Sequence, residues 1–347
     1  MSENKRMYAI DAARGLALIG MVLMHLLPTT NESNTELTTL GYVFSGTSVA
    51  LFMFCAGLSL NFIKSNRALA IRSVLLILLG LTLASFQITT AMILVNYGIL
   101  FLLLIPFRKL KSIYLIVITL FFLIGGPLIS WHFRHGLAPE VQNKMPSPPA
   151  FTTLHFGWQN LIDLFFTGYY PLITFSCYTL TGILIARLAL RNSSIQYWLM
   201  GTGIAMFVVP YFTSWHSPLA SLHGQAPLQS IRWLNTMAPH AGTTPEMIHN
   251  LGYCFFFIAF FLFIEARYPA TLTPLVALGQ ITLSLYTIHC LLTIVTQEIW
   301  IHAIVLGIVT LYCWHFKKSG PLESLIHASV GLSHSTHKSY DKSADVR

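Results

Sequence analysis

The chain has 347 residues, 54% of them hydrophobic and only 9% charged. Soluble domains carry about 25% charged residues, so this is the composition of a polytopic membrane protein. The net charge of +8 is not the footprint of a nucleic-acid surface, because its basic residues sort by topology, as shown below.

The first apolar run, Tyr8 to Pro28, is long enough to cross a bilayer as a helix yet contains Asp11, Arg14 and His25. Lys5 and Arg6 ahead of it mimic a signal peptide, but Asp11 and Arg14 interrupt the apolar core and no small-x-small cleavage site follows, so it is expected to stay as the first span. At about 100° per residue, Asp11, Arg14, Leu18, Met21 and His25 share an arc of roughly 80°. Arg14 and His25 are eleven positions apart, which stacks them about 16 Å from each other on that face. Intramembrane ionisable groups mark functional sites by default; the competing explanation is an Asp11–Arg14 pair that fixes packing beside an interfacial histidine.

Apolar runs predict an all-α, polytopic transmembrane bundle of about ten spans, at roughly 8–27, 41–63, 69–87, 91–107, 112–130, 169–189, 195–213, 247–265, 274–296 and 298–316. With both termini cytoplasmic, Lys5, Arg6, Lys64, Arg67, Arg72, Arg108, Lys109, Lys111, Arg187, Arg191, Arg267, Lys317, Lys318, Lys338, Lys342 and Arg347 fall inside. Only Arg134, Lys144 and Arg232 fall outside. Sixteen against three sets the expected orientation. Residues 1–316 then form the bundle, and 317–347 a cytoplasmic amphipathic segment (GPLESLIHASVGL) followed by a polar tail that is expected to be disordered.

Between the spans, the outer loop 28–40 carries Glu32 and Glu36, which are either solvated or in contact with substrate. Gly46, Ala50 and Gly57 form a small-residue stripe in the second span, suited to close helix approach. Asn96 and Tyr97 lie mid-membrane in the fourth span; an amide there needs a partner in the bundle or in a cavity. His132 and His135 open the longest outer segment without the nearby ligands a metal site needs. The proline cluster Pro146, Pro148 and Pro149 follows, and then Trp158, Leu161, Ile162, Phe165 and Phe166 share one face of an interfacial helix. A second long outer loop contains His216, His223, Arg232 and then PHAGTTPE, where His240 and Glu246 flank a turn-prone Gly-Thr-Thr-Pro. The ninth span carries Gln280, Ser284, Tyr286 and His289 in depth. No pair of broken helices and no repeat between the halves is legible. The cysteines Cys55, Cys177, Cys254, Cys290 and Cys313 lie in spans without C-x-x-C spacing, and there are no Walker or Gly-rich dinucleotide signatures. Those gaps argue against ATP-driven transport and redox chemistry.

The run Asp11-Ala-Ala-Arg14-Gly15-Leu-Ala-Leu ending in His25 resembles the opening signature of a superfamily of transmembrane acyltransferases, which includes the heparan-alpha-glucosaminide N-acetyltransferase family and its bacterial relatives. LFMFCAGLSL, VNYGILFLLLIPF, TGYYPLITFSCYTLTGILIARL, PHAGTTPE, LVALGQITLSLYTIH and GPLESLIHASV resemble later blocks of the bacterial group, in order and over nearly the whole chain. The spacing of Arg14 and His25 is similar to the functional pair of the related acyltransferase-three family, which O-acylates polysaccharides. In the heparan-type enzymes the position matching His25 is similar to asparagine, and a catalytic histidine sits in the following loop. This chain departs from that pattern: it has no histidine between Leu26 and Ser130, and Gln280 stands where the bacterial group often has arginine.

The resemblance implies an enzyme of a bacterial cytoplasmic membrane, with no bound cofactor, that moves an acetyl or short acyl group from cytoplasmic acyl-CoA. The acceptor would be an extracytoplasmic hydroxyl or amine on a glycan or small molecule. In that scheme Arg14, with Arg67 or Arg72, meets the phosphates or thioester of CoA, Asp11 orients Arg14, and His25 is the general base. Asn96, Tyr97, His240, Gln280 and His289 are the expected substrate-lining groups. Proton-coupled transport of a small polar metabolite through Asp11, Arg14, His25 and His289 is the alternative from another class. The expected partners are acyl-CoA, the acceptor and the lipid bilayer, and no nucleic acid.

Overall fold

The computed structural model describes residues 6–28, 38–63, 65–86, 92–135, 157–215 and 231–331. Glu32, Glu36, the proline cluster at 146–149, His216, His223 and the tail after Ser333 lie outside the described residues, as does the side chain of His135.

Every apolar run folds as helix. In chain order these are α1 (Tyr8–Leu26), α2 (Thr39–Phe44), α3 (Thr47–Leu60), α4 (Asn66–Ala84), α5 (Leu94–Leu104), α6 (Ser112–His135), α7 (Trp158–Ile162), α8 (Leu172–Ile185), α9 (Ser193–Thr213), α10 (Thr244–Arg267), α11 (Thr273–Gln280), α12 (Thr282–Val295), α13 (Ile299–His315) and α14 (Pro321–Val330). Five are long and apolar enough to cross a membrane, and α11 with α12, bent by 63°, makes a sixth candidate. α3, α5, α8 and α13 are apolar but shorter. The chain is therefore an integral membrane protein of helical build. Exposed apolar ridges, such as Ile113, Val117, Phe121 and Ile124 on α6, mark the lipid-facing rim.

Two expected continuous spans are broken. Gly46 takes φ +80° between α2 and α3, a left-handed conformation that L side chains avoid. It is thus a break, and not a member of the packing stripe its neighbours suggested. The other break is at Ile281 (φ −121°, ψ 28°), where α11 ends on Gln280 and α12 begins. The fifth span also runs on: α6 continues to His135, so His132 sits on a helix end instead of a loop.

α1 is the central element, with α3, α10, α11 and α12 packed around it. Small residues make that possible: Ala9, Ala12, Ala13 and Ala17 are essentially inaccessible. At Gly15 and Gly279 the backbones of α1 and α11 approach so closely that a Cβ on either would strike the backbone of the other, at Leu275 and Asp11 respectively. The α1 N-terminus is closed by a carboxylate from α10: Glu265 accepts from the amides of Tyr8 (3.1 Å) and Ala9 (2.8 Å), where the helix dipole favours negative charge. The two helices are therefore antiparallel.

Candidate functional site

Asp11 and Arg14 meet one turn apart on α1. Arg14 Nη1 donates to Asp11 Oδ1 at 3.1 Å, and Nη2 donates to Ser59 Oγ at the end of α3. Ser59 in turn donates to the Cys55 carbonyl at 2.7 Å, so its remaining capacity is turned to the guanidinium. Asp11 Oδ2 accepts from Arg6 Nε at 2.8 Å, which places a buried carboxylate between two cations. Arg72 and Tyr97 lie close enough to Arg14 to feel its charge. Glu265 at the α1 N-terminus and Glu323, which Arg72 also feels, set three carboxylates with Asp11 against these three guanidiniums. What suits this end to phosphate is therefore the planar guanidinium fork and not an excess of positive charge.

At the other end of α1, His25 Nδ1 meets His289 Nε2 of α12 at 2.9 Å. The two rings are within 10° of coplanar with centroids 5.2 Å apart, a separation at which the edges meet instead of the faces. His289 Nδ1 meets His302 Nδ1 of α13 at 2.9 Å, with the rings at 67°. His302 Nε2 donates to the Thr296 carbonyl, 3.2 Å away in the turn between α12 and α13. His289 and His302 are fully buried, whereas His25 is only half-buried. The rings bond to one another, and among the described residues no group of three or more His, Cys, Asp or Glu is arranged to hold a metal.

The remaining expected site residues join neither cluster by a hydrogen bond between described residues. Asn96 donates to the Tyr170 carbonyl at 2.7 Å, the core bond a buried amide requires. Tyr97 packs on Phe101 and Phe52. Gln280, half-buried, ends α11 at the bend. His240 takes φ +62° and lays its ring on Tyr169 at 4.3 Å. Its amide and that of Gly242 donate to Glu246 at 2.6 Å each, and Thr243 Oγ1 caps α10 by accepting from the Glu246 amide. That is an N-terminal capping arrangement, which accounts for the shaped loop without invoking chemistry.

Sequence reasoning missed His302, Arg6 and Ser59. Depth arithmetic identifies the first of them: His25 ends the first apolar run, and His289 and His302 flank the turn between the last two, so all three reach the same level.

The family model described as heparan-alpha-glucosaminide N-acetyltransferase, catalytic, matches residues 6–217. That stretch contains Arg6, Asp11, Arg14, His25 and Ser59, and it ends before α12 and α13 supply His289 and His302. No curated protein matches the chain.

Proposed function

The chain belongs to the heparan-alpha-glucosaminide N-acetyltransferase catalytic family, an acetyltransferase-type membrane enzyme, and from that premise we propose that it carries an acyl group across the bilayer. The donor is cytoplasmic acyl-CoA with an acetyl or other short acyl group, and the acceptor is an extracytoplasmic amine or hydroxyl of a glycan or small molecule. The observation that carries this reading is the two-ended α1: a guanidinium cluster at one end and a histidine heading a hydrogen-bonded chain at the other.

Arg14, oriented by Asp11, takes the phosphate end of the donor together with Arg72. The pantetheine arm then covers the roughly 16 Å of helix between Arg14 and His25. His25 Nε2 removes the acceptor's proton as the acceptor nitrogen or oxygen attacks the thioester carbonyl. The carbon–sulfur bond breaks, the CoA thiolate leaves, and it recovers that proton from His25 Nε2. We place the protein in a bacterial cytoplasmic membrane as a ten-span bundle, 1–316, with both termini inside and 317–347 on the cytoplasmic face; the sixteen-to-three distribution of basic residues supports that orientation.

One observation favours a second reading, proton-coupled transport. The 63° bend between α11 and α12 interrupts a span beside buried histidines, as broken helices do in transporters. Purified protein in sealed vesicles decides between them. Acyl transfer predicts release of CoA from acetyl-CoA supplied on the Arg14 side when an amino sugar is present on the other, and His25→Ala is expected to lower that rate by roughly 10²–10⁴-fold with acetyl-CoA binding unchanged. Wild-type turnover in His25→Ala rules out His25 as the base. Solute uptake driven by a pH gradient, with no CoA released, favours transport.

A further inference from the structure

The histidine chain ends on a backbone carbonyl, and that ending decides where its protons sit. A carbonyl only accepts, so the contact from His302 Nε2 to Thr296 requires a proton on that nitrogen. In a neutral ring His302 Nδ1 then holds a lone pair and accepts from His289 Nδ1–H. That leaves His289 Nε2 bare, to accept from His25 Nδ1–H. The one nitrogen lone pair left over is on His25 Nε2, at the half-buried end of the chain. The opposite polarity sets two acceptors against each other at Thr296, which a buried site does not tolerate cheaply.

We propose that His302 is a positioning residue: through the Thr296 carbonyl and His289 it holds His25 in the tautomer whose Nε2 is free, and it receives the positive charge when that nitrogen is protonated. This rests on the reading of His25 as the base. When His25 Nε2 takes the acceptor's proton, the Nδ1 proton of His25 passes to His289 Nε2. The Nδ1 proton of His289 passes in step to His302 Nδ1. His25 and His289 end neutral, and His302 ends as an imidazolium still bonded to Thr296. Return of the proton to the departing thiolate reverses each shift, so one proton enters and one leaves. The logic is that of an orienting partner in a catalytic triad, with a neutral imidazole in place of a carboxylate. A purely structural His302, which only closes the turn between α12 and α13, moves none of this.

The test uses full-length protein labelled with ¹⁵N-histidine, whose nitrogen shifts report each tautomer, with His25→Ala as the assignment control. Wild type is expected to show His25 protonated at Nδ1 and bare at Nε2. His302→Leu removes the acceptor for His289: the His25 tautomer should become mixed, and kcat with acetyl-CoA and glucosamine should fall roughly 10–100-fold at constant KM for acetyl-CoA. His302→Asn leaves an amide oxygen near the place of Nδ1, which accepts a hydrogen bond but not a proton. It should keep the His25 tautomer and an intermediate kcat. An unchanged His25 tautomer in His302→Leu, or wild-type kcat in both variants, overturns the proposal. Should the leucine variant not fold, a wild-type kcat in His302→Asn overturns the charge-receiving role by itself. If His25→Ala alone retains turnover, the reading of His25 as base fails, while the nitrogen shifts still decide whether His302 orients the ring.

Discussion

Asp11 accepts from Arg14 through one oxygen and from Arg6 through the other, and this governs what substitutions at the N-terminal end of α1 can report. Exchanging Asp11 and Arg14 looks from the sequence like a clean test of a simple pair. In the structure the Asp11→Arg half of that exchange sets a second guanidinium against Arg6, so the double variant is expected to fail even if the pair serves only packing. Arg14→Lys is the better probe. Its charge is kept, but one ammonium cannot supply the fork that reaches Asp11 and Ser59 together. Acetyl-CoA affinity, measured by calorimetry in detergent, should drop by about 10-fold, the effect of roughly one charge-assisted hydrogen bond. Unchanged affinity with reduced thermal stability assigns Arg14 to packing. At this scale the sequence exposed only part of the site. The charges on α1 stood out because a bilayer penalises them. Arg6 precedes the helix and read as a topology signal, while Ser59 and His302 lie in apolar runs where nothing local singles them out. Their roles come from partners 45 or 13 residues distant in sequence, or from a side chain reaching inward from outside the helix.

Helix positions were legible because apolar runs long enough to be buried or to face lipid have one stable backbone solution. Helix breaks were not. Gly46 has the residue type of a packing stripe and the conformation of a hinge, and only φ distinguishes the two. At the Gln280–Ile281–Thr282 break the only local punctuation is Gly279 just before it, which reads equally well as a packing glycine inside one long span. Glycine spacing likewise does not say which glycines touch a neighbour, although their substitution costs differ sharply. Gly279→Ala drives a methyl into the Asp11 carbonyl of α1, a backbone atom that cannot swing aside, and should destabilise by about 1–3 kcal/mol. Gly307 in α13 faces open space, so Gly307→Ala should be neutral or stabilise by up to about 1 kcal/mol through helix propensity. Apparent melting midpoints in one detergent check both. Equal midpoints for the two variants contradict the close α1–α11 crossing at Gly279 and Asp11.

Across the whole molecule, hydrogen bonds tie the basic loop ends to one face. Arg108 donates to the Ile63 carbonyl, and Arg187 donates to the carbonyls of Leu110 (2.9 Å) and Arg108 (3.1 Å). Glu265, two residues before Arg267, holds the start of α1 beside Arg6, and Glu323 of α14 accepts from the Leu283 amide at 2.8 Å at the start of α12. The opposite face is joined by Ser130 to the Phe166 carbonyl (2.6 Å) and by Thr244 to the Leu123 carbonyl (2.8 Å). Most of the described basic residues sort onto the first face, with Arg134 beside Ser130 on the second, which is the distribution the positive-inside rule expects if the first face is cytoplasmic. Two single-cysteine variants test the assignment. His132→Cys lies at the exposed end of α6 on the second face, and Lys318→Cys lies exposed just beyond α13 on the first. The five native cysteines are all buried, so their background should be low. A membrane-impermeant maleimide added to intact cells should label the first variant and spare the second, and permeabilised cells should label both. Labelling in the reverse sense inverts the protein, puts the Arg14 cluster outside and removes cytoplasmic acyl-CoA as its ligand. Labelling of both from outside places the two positions on one side, which contradicts an odd number of crossings between α6 and the end of α13, and with it the ten-span bundle.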